Sequence, residues 1–334
     1  MVPGQASIDR FRRDLDAVVA PGATIGIAVS GGPDSLALLL LAAAARPGRI
    51  EAATVDHALR PESRAEAEMV AEVCARLGVP HAILTATWDE KPGTAVQERA
   101  RTIRYRLLGE WARKRGLELV ATAHHIDDQA ETLLMRLGRG AGVRGLAGMR
   151  RLSRRTAAGV PLARPLLGWR HSELQAACAA SGVQPIHDPS NEDEQFERVR
   201  VRNALAGTDW LDPAALAESA SHLADADAAL DWAADSEWRR AVSEGPEELV
   251  YAPGDAPPEI RRRILGRAIL SLASEGDTDL RGRELNRLLA ALETGGTATL
   301  RGVLCTGGAE WRFSRARARR RTKPSAEIGA VEGQ

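Results

Sequence analysis

Apolar residues in the first 125 positions come in short blocks separated by longer segments of helical spacing. The block at 24–29 is apolar with β-branched residues and ends in a Gly-rich turn, which predicts a first strand. Further blocks at 50–55, 81–85 and 117–123 predict three more strands. Between them, residues 8–19, 36–45, 62–77 and 94–115 carry helical spacing, and Pro33 suits a helical first turn, where a missing N–H costs nothing. Strand and helix alternating four times predicts an α/β fold with a parallel sheet and crossover helices. Ligands in such sheets lie at the carboxyl ends of the strands. Three polar clusters follow strands here: residues 30–35, the pair Asp56-His57, and residues 124–131.

The pattern changes near Ala206. Residues 211–240 are Ala-rich and acidic with helical spacing, 258–272 and 281–292 repeat that spacing, and 295–313 alternates like a short hairpin. These shifts predict a catalytic domain over 1–207, a smaller, mainly helical domain over 208–321, and a frayed tail over 322–334. A length of 334 residues suits two cores of that size. No uncharged apolar run reaches the length of a membrane span, and the N-terminus lacks a basic stretch leading into an apolar one. A cytoplasmic protein without membrane association is therefore expected. Cys74, Cys178 and Cys305 form no CxxC pair, which argues against a disulfide framework, a zinc site or a sulfur-carrying pair.

Net charge is zero, yet the charges are segregated. Residues 136–202 hold twelve arginines against six acids, residues 207–257 twelve acids against two arginines, and residues 312–323 seven basic residues and no acid. Such segregation suits a polyanionic partner on the basic stretches, while the acidic stretch is expected to avoid RNA. The 312–323 cluster reads equally as an RNA contact or a solvated tail.

The most specific chemistry sits at Ser30-Gly31-Gly32-Pro33-Asp34-Ser35. Paired glycines let successive backbone N–H groups point into one concavity, and the following helix adds its positive end. The hydroxyls of Ser30 and Ser35 suit phosphate oxygens. Asp34 repels phosphate directly, so its expected role is to hold a bridging Mg²⁺. A serine-capped strand-to-helix turn is the structural alternative. No GxxxxGK[ST] occurs, and no GxGxxG follows the strand, which excludes a P-loop NTPase and the dinucleotide fingerprint.

The SGGxDS loop resembles the PP-loop of the N-type ATP pyrophosphatases, enzymes that split ATP between the α- and β-phosphates and adenylate a substrate. Other segments resemble one branch of that superfamily, the tRNA(Ile)-lysidine synthases. They are Val55-Asp56-His57-Ala58-Leu59-Arg60, the helix carrying Glu98, Arg101, Arg104 and Tyr105, and His124-His125-Ile126-Asp127-Asp128-Gln129-Ala130-Glu131-Thr132. The Gly-rich run from Arg139 to Met149, Arg164-Pro165-Leu166-Leu167, and His187-Asp188-Pro189-Ser190-Asn191 with Arg198, Arg200 and Arg202 complete the set. The second domain carries no comparable signature, and the chain is short for that family.

The resemblance implies ligation of the lysine side-chain amine to C2 of the wobble cytidine in the CAU anticodon of an isoleucine tRNA. ATP goes to AMP and diphosphate through an adenylated cytidine, and the product pairs with A instead of G. Expected partners are therefore that tRNA, L-lysine, ATP and Mg²⁺. Ser30, Gly31, Gly32, Pro33, Asp34, Ser35, Asp56 and His57 are the expected ATP-binding residues, with Asp34 on the metal. Asp34, Asp128, Glu131 and Arg104 are the expected catalytic residues, and Asp128 and Glu131, three apart on a helix, the expected lysine acids. His124 and His125 point apart if extended. Two rivals are weighed: a tRNA thiolase of the same superfamily, against which the missing CxxC speaks, and a binding module that never splits ATP. The oligomeric state is open, and a homodimer is compatible with the sequence.

Overall fold

The computed structural model describes residues 3–60, 62–88, 96–153, 159–186, 193–273, 280 and 282–316. Tertiary contacts divide the chain into two units, Met1–Asp225 and Ala226–Gln334.

The first unit is a doubly wound sheet. Helix α1 (Gln5–Asp16) leads into β1 (Ile25–Ala28), α2 (Pro33–Ala45), β2 (Ile50–Asp56), α3 (Glu62–Leu77), β3 (His81–Thr85), α4 (Val96–Arg115) and β4 (Val120–Ala121). There follow α5 (Ile126–Leu137), α6 (Val143–Leu146), β5 (Leu152–Ser153), β6 (Leu162–Ala163), α7 (His171–Ala180) and α8 (Glu197–Ala206). The strand order is β3-β2-β1-β4-β6-β5, with β5 antiparallel and the rest parallel. The four expected strands and their crossover helices are all present. Pro33 is itself the first residue of α2, and the strand expected over 117–123 narrows to two residues.

Burial explains why these segments fold as they do. Leu36 through Leu41 of α2 are all buried, so this helix is apolar all round and lies inside the unit rather than upon it. It joins Phe11 and Leu15 of α1, Val70 and Val73 of α3, and Leu174 of α7 in one core with β1. A second core, built on Leu108, Trp111 and Ala112 of α4 with Val120 and Leu162, includes Ala53 of β2. Gly26 is required there, because a Cβ would stand 2.7 Å from the Trp111 ring. Strand order reverses between β1 and β4, and the crevice beyond their carboxyl ends is where such sheets hold ligands.

Helix α9 (Pro213–Ala241) carries the division between the units. The second unit is helical as expected, through α10 (Pro258–Leu272) and α11 (Gly282–Glu293), but it contains more sheet than one hairpin. Strands β7 (Val242–Glu244), β8 (Glu248–Tyr251), β9 (Thr297–Leu300), β10 (Val303–Thr306) and β11 (Trp311–Arg315) form an antiparallel sheet in the order β7-β8-β11-β10-β9. Leu249, Tyr251, Trp311 and Phe313 point into its core with Ile264 and Leu265 of α10. At α10, buried Arg263 binds Asp227 and Asp231 at 2.7 Å each and Glu259 at 2.9 Å. The expected tail, 322–334, lies outside the described residues.

Candidate active site at the switch point

The loop after β1 is a tight frame. Gly31 has a φ of +88°, a conformation that L side chains adopt at a cost, and its carbonyl accepts the Ile186 N–H at 2.9 Å. Ser35 is buried; its hydroxyl donates to the Gly32 carbonyl (3.0 Å) and accepts from the Ser30 N–H (3.1 Å) and the Ser30 hydroxyl (3.2 Å). Both hydroxyls therefore serve the loop itself, with that of Ser35 holding its shape. Gly32 caps α2 without a side-chain bond, leaving the first N–H groups of that helix for an outside acceptor.

Asp34, in the first turn of α2, reaches across the reversal to the starts of α5 and α7. Its Oδ1 lies 2.8 Å from Nδ1 of His171, and its Oδ2 lies 3.5 Å from Nε2 of His125. The two imidazoles stack with centroids 5.2 Å apart. Asp127 accepts the His171 backbone N–H at 2.8 Å, and Asp128 accepts that of His125 at 3.1 Å. Three helix N-termini thus converge here, those of α2, α5 and α7. His125 is buried among Asp34, Asp127 and Asp128, each with an oxygen 3.3–3.5 Å from a ring nitrogen. Among the described residues its Nδ1 finds no hydrogen bond of good geometry, so its tie to Asp127 is one of charge.

These charges fix the protonation states. Burial works against a charged His125, but Asp127 and Asp34 outweigh it and push the imidazole up to about 10. Burial likewise opposes the Asp34 carboxylate, yet the two histidines hold it at about 2. Asp127 is also held at about 2, burial being outweighed by His125 and the His171 N–H. Adjacent His124 faces a different field. Burial, helped by Arg164, Arg101 and Arg198 against the pull of Asp128, lowers it to about 3, so it is neutral; its Nδ1 meets the Thr122 hydroxyl at 2.8 Å. The two histidines thus have different partners, Thr122 for His124 and Asp34 for His125.

Glu131 is buried, with only 2% of its surface exposed. Arg202 Nε donates to its Oε1 at 2.7 Å, and Arg198 Nε lies 3.4 Å from Oε2. Arg198 also reaches Asp128 Oδ1 at 3.9 Å and donates to the Thr132 hydroxyl at 3.2 Å. Arg198 and Arg202 are four apart and share a face of α8, whereas Arg200 bonds to the carbonyls of Glu194 and Gln195. Burial raises the Glu131 carboxyl, and the Arg202 bond opposes that shift.

Asp56 is buried and holds its own turn, with Oδ1 accepting the Ala58 N–H at 2.8 Å and the Ser63 hydroxyl at 2.7 Å. His57 lies 3.5 Å from Arg104, and burial with that guanidinium lowers it to about 4. Arg101 stacks on Tyr105. Gln129 bonds both ways to Met149, at 2.9 and 2.7 Å, and Arg136 donates to the Gly145 carbonyl at 2.6 Å, so α5 fixes the Gly-rich loop. The 187–191 segment lies outside the described residues.

Asp34, Asp128, Glu131 and the loop thus come together, while the pair His57–Arg104 stands beyond β2. His171 was not singled out from sequence, because it belongs to no motif. Asp34, His125 and His171 each offer one ligand atom, all within 4.8 Å of one another. A protonated His125 has no lone pair for a metal, and Mg²⁺ prefers oxygen, so of this trio the donor chemistry suits Asp34 for Mg²⁺. Among the described residues no helix is long and apolar enough to cross a membrane.

Comparison with known proteins gives the family and the fold. Residues 5–208 match the PP-loop domain family. A tRNA(Ile)-lysidine synthase of Novosphingobium aromaticivorans is 51% identical over 92% of this chain and 93% of its own length. That of Zymomonas mobilis is 42% identical over 89% of this chain and 90% of its own. Among solved structures, the U34-tRNA thiolase NcsA of Methanococcus maripaludis with its 4Fe-4S cluster superposes with a TM-score of 0.55 over 66% of this chain and 79% of that one, at 15% identity, a likeness of fold.

Proposed function

Because the chain belongs to the tRNA(Ile)-lysidine synthases and carries their PP-loop domain, we propose a residue-level route by which it forms lysidine. It is an ATP-dependent, tRNA-modifying ligase. The observation that carries the route is the convergence of three helix N-termini on Asp34 and His125, with Asp128 and Glu131 on the neighbouring turns of α5.

The C2 oxygen of cytosine is a poor leaving group, so it first attacks the α-phosphorus of ATP. The bond from α-phosphorus to the bridging oxygen breaks, diphosphate leaves and C2–O–AMP remains. The backbone N–H groups of Gly31 and Gly32, with those of Asp34 and Ser35 at the α2 terminus, receive the phosphates. Asp34 would hold Mg²⁺ here, and the ion would supply charge to offset that developing on diphosphate. Protonated His125, held by three carboxylates, places a fixed positive charge beside them. Lysine then binds with its ε-ammonium at Asp128 and Glu131, one of which takes the proton. The free amine attacks C2, the N–C2 bond forms, the C2–O bond breaks, and AMP departs. The isoleucine tRNA with its CAU anticodon meets exposed arginines such as Arg139, Arg144, Arg151 and Arg200, with the second unit holding more of the tRNA.

A thiolase reading lacks the sulfur chemistry it needs. Cys74, Cys178 and Cys305 are all buried, and burial pushes the Cys74 and Cys305 thiols up to about 12. The test is incubation with ATP, Mg²⁺, labelled lysine and unmodified CAU-anticodon isoleucine tRNA. Label should enter the tRNA and disappear in Asp34→Ala. Diphosphate release without lysine incorporation would overturn the proposal.

A further inference from the structure

The acids assigned to lysine are already occupied by cations of the chain itself. Oε1 of Glu131 accepts Arg202 at 2.7 Å, while Oε2 accepts no hydrogen bond among the described residues and has the Arg198 guanidinium 3.4 Å away. Asp128 shares Arg198. A carboxylate with 2% exposure tolerates the loss of a cation poorly, because an uncompensated buried charge is strongly destabilising. Lysine cannot simply add to this pair, since a third positive charge beside two guanidiniums is repelled. It must exchange with one.

The exchange has a direction. A guanidinium leaving Glu131 loses a charge-assisted bond and needs another anion. Phosphate is the anion both remaining substrates bring, and arginine meets it in bidentate geometry. Arg198 and Arg202 lie on one face of α8, so one shift of that helix moves both. Resting on the lysine assignment above, we propose that Arg202 and Arg198 are place-holders for the ε-ammonium, and that lysine enters as these guanidiniums transfer to substrate phosphate. Amino-acid binding is thereby coupled to the phosphate-bearing substrates. The empty enzyme keeps its buried acids neutralised without lysine, and a loaded one opens the amine site next to the activated base.

Equilibrium dialysis of labelled lysine tests this with the full chain. The arms are the enzyme alone, with a non-hydrolysable ATP analogue, and with an unmodified CAU anticodon stem-loop. Affinity should rise at least about tenfold in one of the two phosphate arms, which identifies the source. In Arg202→Gln the RNA-free and ATP-free affinity should rise and the dependence shrink, whereas Arg202→Lys, which keeps the charge, should preserve it; melting temperatures establish that each variant folds. Equal lysine affinity in all three wild-type arms overturns the inference, as does an Arg202→Gln affinity unchanged in the enzyme alone. If wild type then still labels the tRNA, the proposed function stands without it. Undiminished lysine binding in Glu131→Gln overturns the inference together with the acid assignment beneath it.

Discussion

Replacing Gly31 and Gly32 separately by alanine divides loop shape from ligand contact. At Gly31, φ is +88°, which costs an L residue roughly 1–2 kcal/mol. A Cβ there would stand 2.2 Å from Cδ1 and 3.1 Å from Cγ1 of Ile186, whose own N–H is bonded to the Gly31 carbonyl. Ile186 must turn aside, at about 0.5–1.5 kcal/mol if it leaves its rotamer. Gly31→Ala should therefore lose about 1.5–3.5 kcal/mol, adding the two costs. Gly32 has a φ of −72° and, among the described residues, only the Ser30 hydroxyl at 3.9 Å from a Cβ, so its alanine variant should lose less than about 1 kcal/mol. Its new methyl, however, would stand at the α2 N-terminus where phosphate is placed, raising the KM for ATP at least about tenfold. Urea unfolding and ATP-dependent diphosphate release measure the two effects. Equal stability losses would refute the steric reasoning, and an unchanged KM in Gly32→Ala would remove phosphate from this concavity.

The remaining predictions concern charge. His125 is raised from 6.5 to about 10, so its stabilisation is complete below pH 6.5 and fades as pH rises through 10. Seen from Asp34, lowered from 3.8 to about 2, the same contact is intact above pH 3.8 and fades as pH falls through 2. The urea midpoints of wild type and His125→Gln should differ most between those limits and converge towards pH 10; a constant difference would contradict this. Asp34→Asn should retain the fold by circular dichroism yet lose at least about a hundredfold in kcat, the scale seen when one stabilising group is removed from a transition state. Arg263→Ala removes the guanidinium shared by Asp227, Asp231 and Glu259 and should cost the second unit roughly 3–5 kcal/mol, read from its thermal transition.

Much of this site was legible because its parts are local in sequence. The SGGPDS loop, the carboxylates of residues 127–131 and the βα alternation each depend on neighbours within a few positions, and chain order alone puts them at strand ends. His171 was not legible, since its role comes from α7 starting where α2 and α5 also start, 137 residues from the Asp34 it touches. The pairing of Glu131 with Arg202 spans 71 residues and was hidden for the same reason. Ser35 looked like a phosphate donor, yet three bonds within its own turn engage its hydroxyl. In the second unit, β8 does alternate, burying Leu249 and Tyr251, but four residues amid glutamates give too short a period to separate strand from loop.

The central claim is that this loop adenylates a cytidine. Its most direct test supplies ATP labelled at the α-phosphate with Mg²⁺ and unmodified CAU-anticodon isoleucine tRNA, and omits lysine. Label should appear on the tRNA, leave as AMP when lysine is added, and never appear with Asp34→Ala. Wild-type enzyme that incorporates lysine without ever passing the α-phosphate to the tRNA would contradict the account.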